Sequence, residues 1–517
     1  MLKLSPIDPL LKPIPQYRRR GDAARARRTR RRGTILVTAM WVTIVLGALV
    51  LVFARSMRVE MIATANRTTR SKVAAIERGA EQYVLAQVDN TDGDASYITS
   101  APAEAMQVGG GYFWIIRPDP DNVNYYDYGI TDEASKLSIN TAGVNDMLNL
   151  PNMTNDVADS IVDWRDTDDN VTDQGAETQY YESLPEPYRA KNSPFETVEE
   201  LLLVKNVRPD LLFGADKNHN GIIDDAEQQA AGNLPTFGGV TSPIRGIFPY
   251  ITCFTVEPNT DSTGTARVNV NGNTQVVTTP TGGTGNATPA PTATPAPSTG
   301  GNNTGGNNAA TSAIRTALQN GGIGSGRITQ IMQRYQAAPK PFSSVFDFAV
   351  KTQMTSEELG KVIDRLTTAS GQTTQGLVNV NTAPEAVLMC LPGLEQSDAD
   401  AIITKRTSAD TTSMAWLMDA VTPQKLAAIG SRVTGRSYQY SADIVAVSGD
   451  GRAFKRVRIV VDARNSPPKI VYRRDLTALG WPLPRQIRDQ LKSGQPIQPG
   501  NGNYENAQGG TAAQVRT

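Results

Sequence analysis

RRGTILVTAMWVTIVLGALVLVFA, residues 31–54, joins a basic leader to an uncharged apolar segment and decides the fold of the N-terminal region. Nine arginines lie within residues 1–33, whereas residues 34–54 carry no charge. A helix of this length rises about 30 Å, the thickness of the hydrocarbon core of a bilayer. Because a basic flank favours the cytoplasm, the segment predicts one membrane-spanning helix with the bulk of the chain outside.

The step from Gly33 to Thr34 precedes the apolar segment, whereas a secretory signal peptide is cut after its apolar region. This arrangement is similar to the type IV prepilin signal, which a membrane peptidase cuts after the glycine. An ordinary single-pass anchor with an uncut cytoplasmic tail is the alternative. Thr38 stands where major pilins carry a glutamate, so the chain would be an atypical pilin-like subunit.

The apolar segment is predicted to continue as an amphipathic stem helix, since no proline occurs between Thr34 and Pro102. Charged residues occupy the rest of this region, and a membrane anchor with a separate juxtamembrane helix is the alternative. The apolar stripe, at spacings of three and four, consists of Val73, Ile76, Ala80, Val84 and Val88.

Strands are predicted in two groups that lie far apart in sequence, at 112–117, 125–130 and 136–139 and again at 438–447 and 454–461. The sequence SGDG between the last two is a strong hairpin turn signal. The predicted fold class is therefore α+β. A pilin-like long N-terminal helix packs on a small antiparallel sheet that carries a large, mainly α-helical insertion.

The predicted organisation has six parts. In chain order they are a basic prepilin-type leader (1–33), a transmembrane and amphipathic stem helix (34–90), pilin-like strands (91–140), an α-helical insertion (141–435), the C-terminal hairpin of the sheet (436–463) and a flexible tail (464–517). Residues 259–311 consist mainly of Thr, Gly, Asn, Pro and Ala, so this tract is predicted to be a flexible linker within the insertion.

The outer part of the chain is acidic, although the whole chain is formally neutral. Beyond the leader, the chain has 40 basic and 49 acidic residues. This balance argues against binding to nucleic-acid phosphates and suits divalent cations. The single histidine, His219, excludes most histidine-based catalytic and zinc sites. Cys253 and Cys390 are interpreted as two separate buried thiols, with a disulfide as the alternative.

An internal repeat lies in the insertion, because residues 137–165 and 378–406 align without a gap. Each copy reads as a strand end, an Asn or Thr cap, a short helix, a proline turn and a second helix. The pattern resembles the helix-hairpin-helix of DNA-binding proteins. The two hairpins read NMT (152–154) and GLE (393–395), so neither has the glycine–apolar–glycine sequence that cradles a phosphate. The repeat is therefore interpreted as a structural helix pair.

DKNHNGIIDDAE, residues 216–227, fits the twelve-residue calcium loop, with Gly221 at the sharp turn. Calcium suits this pattern because it accepts six to eight oxygen ligands in a flexible shell. A polar turn without an ion is the alternative. The predicted ligands are Asp216, Asn218, Asn220, the backbone carbonyl of Ile222, Asp224 and Glu227.

A second acidic segment, residues 163–181, follows the first copy of the repeat. Its carboxylates would repel each other, and a bound calcium ion would remove that penalty. A solvated acidic turn is one alternative, and a glycosidase-type carboxylate pair is another, although nothing in the sequence indicates a pocket. The carboxylates concerned are Asp166, Asp168, Asp169, Asp173 and Glu177.

These features together resemble the type II secretion minor pseudopilin family, general secretion pathway protein K. Its members carry a Trp-x-Asp-x-Asp … Gly-Ala-Glu … Tyr segment, which resembles residues 164–181 here, and an N-x-N-T-A-P-x-x-x-L element, which resembles residues 379–388. The resemblance spans about Arg32 to Arg464. The chain departs from the family in its long leader, its low-complexity tract, its calcium-loop motif and its C-terminal tail.

The resemblance implies a non-enzymatic subunit at the tip of a secretion pseudopilus, with calcium at Asp166, Asp168 and Glu177. It also implies a single-pass inner-membrane protein with its bulk in the periplasm, acting in secretion across the outer membrane. The implied partners are other minor pseudopilins, the inner-membrane secretion platform and the prepilin peptidase, with no nucleic acid. The alternative function is a membrane-anchored periplasmic DNA-binding protein that uses the helix-hairpin-helix-like repeats.

The junction at Gly33 yields a prediction about processing. We expect the mature chain to begin at Thr34, because Gly33 is the small residue that joins the basic leader to the apolar helix. N-terminal sequencing of protein extracted from membranes measures this directly. A mature chain that begins at Met1 would identify the segment as a plain single-pass anchor.

Overall fold

The computed structural model describes residues 23–99, 101–119, 126–231, 245–272 and 304–497. Most of the predicted leader, residues 1–22, and the end of the predicted tail, residues 498–517, lie outside the described residues. The chain divides into two compact units, residues 1–69 and residues 70–517.

The elements are numbered in chain order. The α-helices are α1 (Ala23–Asp89), α2 (Ser96–Thr99), α3 (Val144–Met147), α4 (Asn155–Arg165), α5 (Thr178–Glu182), α6 (Pro209–Phe213), α7 (Asp225–Ala231), α8 (Thr304–Asn320), α9 (Ser325–Ala337), α10 (Val345–Thr352), α11 (Ser356–Gly360), α12 (Glu385–Leu388), α13 (Gln396–Arg406), α14 (Pro423–Ile429) and α15 (Arg485–Lys492). Short 3-10 helices are Glu133–Ser135, Val198–Leu203, Phe248–Tyr250, Ile363–Arg365, Ala415–Asp419 and Thr477–Leu479.

The strands belong to one large sheet and four small two-stranded sheets. They are β1 (Met106–Val108), β2 (Gly111–Pro118), β3 (Tyr126–Tyr128), β4 (Thr131–Asp132), β5 (Leu137–Ser138), β6 (Ile251–Thr252), β7 (Val256–Pro258), β8 (Val268–Asn269), β9 (Leu366–Thr367), β10 (Thr373–Gln375), β11 (Val378–Asn379), β12 (Val433–Thr434), β13 (Gln439–Ser448), β14 (Phe454–Asp462) and β15 (Lys469–Asp475).

The N-terminal unit contains one segment that is long and apolar enough to cross a membrane. From Thr34 the helix has an 18-residue window with a mean hydropathy of 2.7, and none of that window is buried within the protein. The exposed large apolar side chains run from Ile35 to Ile62. Such a surface requires an apolar environment, so length and composition agree with the predicted membrane span.

In the second unit, the predicted stripe on α1 faces the sheet. Val73, Ile76, Ala80, Val84 and Val88 are all at most 3% exposed, as the period of three and four predicts. They pack against inward-facing residues of β2, β13 and β14 in one hydrophobic cluster. The helix therefore covers one face of the sheet.

The large sheet joins the two predicted strand groups. Its order is β1-β2-β13-β14-β15, all antiparallel, with β3 beside β2 and β4 beside β13. Trp114 of β2 lies opposite Val445 of β13, although more than three hundred residues separate them in sequence. The predicted α+β fold, with a long helix, an antiparallel sheet and a helical insertion, is thus confirmed.

The predicted flexible tail is wrong over residues 464–497. β15 extends the sheet, and α15 packs on the sheet face opposite α1 through Ile487 and Leu491, together with Leu483, which precedes the helix. These side chains contact a cluster that contains Trp114 and Val445. The proline- and glutamine-rich composition indicated disorder, but the apolar residues at spacing four supply enough buried area to order the segment.

The helical insertion contains three copies of one unit, whereas the sequence analysis found two. Each copy has a short strand, a helix pair, a buried turn that follows the pair, a short helix and a closing strand that pairs in parallel with the first. The strand pairs are β5 with β6, β8 with β9, and β11 with β12. The helix pairs are α3 with α4, α8 with α9, and α12 with α13.

In each copy, an asparagine that follows the first strand forms hydrogen bonds with residues that follow the helix pair. Asn140 donates to the carbonyl of Phe195 at 2.9 Å and accepts from its N–H at 2.7 Å. Asn271 makes the same two bonds with Phe342, at the same distances. In the last copy, Asn381 donates to a backbone carbonyl and accepts from the indole of Trp416 at 3.1 Å. This shared contact identifies the middle copy.

The predicted linker, residues 259–311, has different boundaries in the structure. Residues 259–272 contain β8, and α8 begins at Thr304, so both ends of the tract belong to the middle copy. Residues 273–303 lie outside the described residues. Because the tract separates the first strand of this copy from its helix pair, an ungapped alignment could not detect the copy.

We expect Asn271→Ala to destabilise the protein about as much as Asn140→Ala. Each substitution leaves a backbone N–H and carbonyl without their partner, at a cost of about 1–3 kcal/mol. Thermal unfolding of the full chain in detergent measures the effect, with Asn149→Ala, an exposed position, as the control. Equal melting temperatures for the Asn271 and Asn149 variants would contradict the assignment of the middle copy.

Candidate functional site

Three carboxylates converge beside the end of α4. One oxygen from each of Asp163, Asp166 and Glu177 lies within 4.8 Å of the others, which makes this the single such group of acidic, histidine or cysteine ligands in the part of the chain that the structure describes. Asp163 belongs to the last turn of α4, Asp166 follows the helix directly, and Glu177 precedes α5. The sequence predicted the last two as ligands and missed Asp163. The i, i+3 spacing of Asp163 and Asp166 could have indicated it.

Glu177 is the most unusual member of this group. It is 2% exposed, and neither of its carboxylate oxygens has a hydrogen-bond partner. Burial, followed by repulsion from Asp163, Asp166, Asp169 and Asp168, raises its pKa to about 7. A buried carboxylate without a partner is costly, so the arrangement fits a bound cation better than a solvated acidic turn.

The backbone around Asp163 is shaped to hold the group. The Asp163 carboxylate is fully buried and accepts the N–H of Thr172 at 3.2 Å. A Cβ atom at Gly175 would lie 2.0 Å from an oxygen of Asp163, so only glycine fits here. The neighbouring Trp164 packs edge-on against Tyr181, with ring centroids 5.1 Å apart. The residues of the Trp-x-Asp … Gly-Ala-Glu … Tyr pattern thus surround one site.

The other acidic residues of this segment have different contacts. Asp168, a predicted ligand, accepts from the backbone N–H of Asn170 at 2.9 Å and closes a turn. Asp169 accepts from the side chain of Asn192 at 3.1 Å. The structure therefore places Asp168 outside the group formed by Asp163, Asp166 and Glu177.

The loop 216–227 has the hydrogen bonds that close a calcium loop. Asp216 accepts the N–H of Gly221 at 2.7 Å, and Gly221 has the positive φ of +82° that the turn requires. Glu227 reaches back across the loop and accepts the N–H groups of Lys217 at 3.0 Å and Asp224 at 3.1 Å. Burial raises the pKa of Asp216 to about 7 and raises that of Glu227.

The remaining predicted positions of this loop agree with the pattern. The side-chain oxygen of Asn218 accepts the N–H of Asn220 at 2.9 Å, and that of Asn220 accepts the N–H of Ile222 at 2.8 Å. Ile222 and Ile223 are buried, as expected for the residues that pack the loop. Within the described residues, Asp216, Asp224 and Glu227 do not come as close together as the group at Glu177. Calcium binding at either place stays a prediction.

A cavity of about 380 Å³ lies between the sheet and the insertion. Two carboxylates that line it, those of Glu133 and Asp443, form ion pairs. Glu133 pairs with Lys136 at 2.6 Å, and Asp443 pairs with Arg458 at 3.0 Å. Asp443 also pairs with Arg456 at 2.6 Å. Both carboxylates are paired with cations, so they do not resemble the pair of free acids that glycosidase chemistry requires.

The hairpins of the repeat lack a phosphate cradle. In the last copy, the backbone N–H of Glu395 donates to Asp398 at 2.8 Å, so a side chain of the same helix already occupies this donor. Lys425 pairs with Asp398 at 2.5 Å and thereby neutralises that acid. The interpretation as a structural helix pair agrees with these contacts.

Comparison with known proteins supports the resemblance. The family model for the type II secretion system (T2SS), protein K, matches residues 137–213, which include the group at Glu177. No curated protein gives a significant match. A similar solved structure is the GspK-GspI-GspJ complex from the enterotoxigenic Escherichia coli type 2 secretion system, with 10% identity over 80% of this chain and 98% of that chain and a TM-score of 0.38. A likeness this distant does not establish function. The predicted resemblance to the protein K family is confirmed by the family match.

Proposed function

We propose that this chain is a non-enzymatic minor pseudopilin of a type II secretion system, which acts at the tip of the pseudopilus in protein secretion across the outer membrane. One observation carries the proposal. The protein K match covers the segment in which Asp163, Asp166 and Glu177 converge, so the matched residues build a specific site. The apolar helix and the sheet supply the other parts that such a subunit needs.

Physical properties of the two units support the placement. The exposed apolar residues of the N-terminal unit suit an inner membrane and the helices of neighbouring subunits. The second unit is large, and burying it beneath further subunits would be difficult, which favours the filament tip. The partners are then other minor pseudopilins, the inner-membrane platform and the prepilin peptidase, and the bulk of the chain lies in the periplasm.

Affinity purification tests this function. We expect the full chain, tagged at its C-terminus and extracted in detergent, to retain other pilin-like subunits encoded beside it. Deleting its gene should block export of secreted proteins across the outer membrane, and the wild-type chain should restore it. Intact secretion in the deletion strain, or salt-dependent binding of duplex DNA by the purified chain, would contradict the proposal.

We also propose that calcium occupies two places. At the first, Asp163, Asp166 and Glu177 would hold the ion, because their oxygens converge and those of Glu177 have no other partner. At the second, the loop 216–227 would hold it through the predicted ligands, with Glu227 as the bidentate residue. When bound, the ion supplies positive charge that offsets the repulsion among these acids, so its role is structural.

Calcium dependence of stability tests both sites. In chelator, Glu177→Gln should raise the melting temperature, since it removes a buried charge that repels its neighbours. In calcium it should lower the melting temperature relative to wild type, because one site is lost. A hundredfold excess of calcium over its dissociation constant stabilises a binding-competent protein by about 2.7 kcal/mol per site.

Two variants are compared with Glu177→Gln. Glu227→Gln should remove the second site, whereas Glu186→Gln, which replaces an exposed carboxylate, should leave calcium binding at both sites unchanged. Calorimetric titration of the full chain in detergent counts the ions. No calcium uptake by the chelated wild-type protein would overturn both assignments, and unchanged stoichiometry in one variant would overturn that site alone.

A further inference from the structure

The loop 216–227 is docked directly on the large sheet. Arg456 of β14 is fully buried, and its guanidinium donates to the backbone carbonyls of Asn218 and His219, the latter at 2.6 Å. The same guanidinium forms two hydrogen bonds with Asp443 of β13, at 2.8 and 2.6 Å. Arg458 also donates to the carbonyl of His219, at 3.2 Å, which is the third hydrogen bond from the sheet to the loop. Two arginines of the sheet therefore hold the loop through its backbone.

Two other parts of the chain contact the same loop. The side-chain N–H of Asn220 donates at 2.9 Å to the carbonyl of Pro482, which lies in the C-terminal extension, residues 476–493. A Cβ atom at Gly221 would lie 2.5 Å from the ring of Pro118, at the end of β2. The guanidinium of Arg245 bridges the carbonyls of Gly221, at 2.8 Å, and Asp119. The loop thus joins the insertion, the sheet and the C-terminal extension.

The same residues serve as calcium ligands and as anchors. Asn218 would present its side-chain oxygen to the ion while Arg456 holds its carbonyl. Asn220 would present its oxygen while its nitrogen holds Pro482. Without an ion, the carboxylates of Asp216 and Glu227, which both accept N–H groups of this loop, carry like charges that repel each other. An ion that fixes these ligands must therefore also fix the anchors that the same residues carry.

We propose that residues 216–227 form a calcium-dependent clasp that fastens the helical insertion to the sheet and to the C-terminal extension. The proposal rests on the calcium site assigned to this loop under the proposed function. It adds that calcium orders residues 476–493, which contain none of the predicted ligands. By linkage, contacts that calcium strengthens must in turn strengthen calcium binding.

Hydrogen exchange provides the first test. The full chain with Glu177→Gln, which leaves only the loop site, is compared in detergent with calcium and with chelator. We expect calcium to slow amide exchange in residues 216–227 and also in residues 476–493. The exchange rates of α9, which is distant from the loop in sequence, should stay unchanged. Slowing confined to the loop would overturn the clasp and leave the calcium site standing. No slowing in the loop would overturn both.

Calcium affinity provides the second test, in the same Glu177→Gln background. Arg456→Lys keeps the charge but cannot reach both Asp443 and the two carbonyls, so we expect the dissociation constant for calcium to rise at least fivefold. Arg473→Lys is the control, since Arg473 pairs with Glu81 at 2.8 Å and has no hydrogen bond or ion pair with the loop. Equal affinities in the two variants would overturn the clasp. If Arg456→Lys fails to fold, the exchange experiment on the arginine-containing chain decides.

Discussion

The pairing of β2 with β13 is the contact on which the rest of the structure depends. It brings both ends of the helical insertion to neighbouring strands of one sheet. The insertion must then fold as a self-contained body, and its own hydrophobic core contains residues from Leu137 to Val433. The sheet has separate cores on its two faces, one with α1 and one with α15. Two parts with separate cores need specific contacts between them, and polar groups supply these contacts.

Buried carboxylates distinguish structural contacts from the candidate ion site. Asp443 is buried, and its two arginines outweigh the cost of burial and hold its pKa below the usual value. Glu77 of α1 is likewise buried and pairs with Lys455 at 3.1 Å and with Arg473. Glu177 is as buried as these, but it has the carboxylates of Asp163 and Asp166 beside it and no hydrogen-bond partner, so its pKa rises. Cations of the chain itself neutralise Asp443 and Glu77, and a bound cation would do the same for Glu177.

Much of the fold follows from local sequence patterns. The stripe from Val73 to Val88, the SGDG hairpin and the turn at Gly221 each depend on spacings within a short segment, and the structure agrees with these spacings. What the sequence missed depends on contacts between distant segments. The middle copy was hidden because its first strand and its helix pair are far apart in sequence. Asp163 stands three residues before Asp166, but its approach to Glu177 depends on how the loop between them folds, and the local pattern does not show this.

The three-copy architecture explains where the chain carries its additions. The low-complexity tract lies in the middle copy between the first strand and the helix pair, and the loop 216–227 lies in the first copy between α6 and the closing strand. The acidic segment also enters the first copy, after its helix pair. Each addition interrupts a connection and leaves the strand pair and the asparagine contact intact, since surface connections lengthen at little entropic cost. The loop 216–227 turns back onto the sheet, where the carbonyls of its turn meet the buried Arg456 and the half-buried Arg458. A connecting segment therefore makes this contact, rather than the strand pair and helix pair that the three copies share.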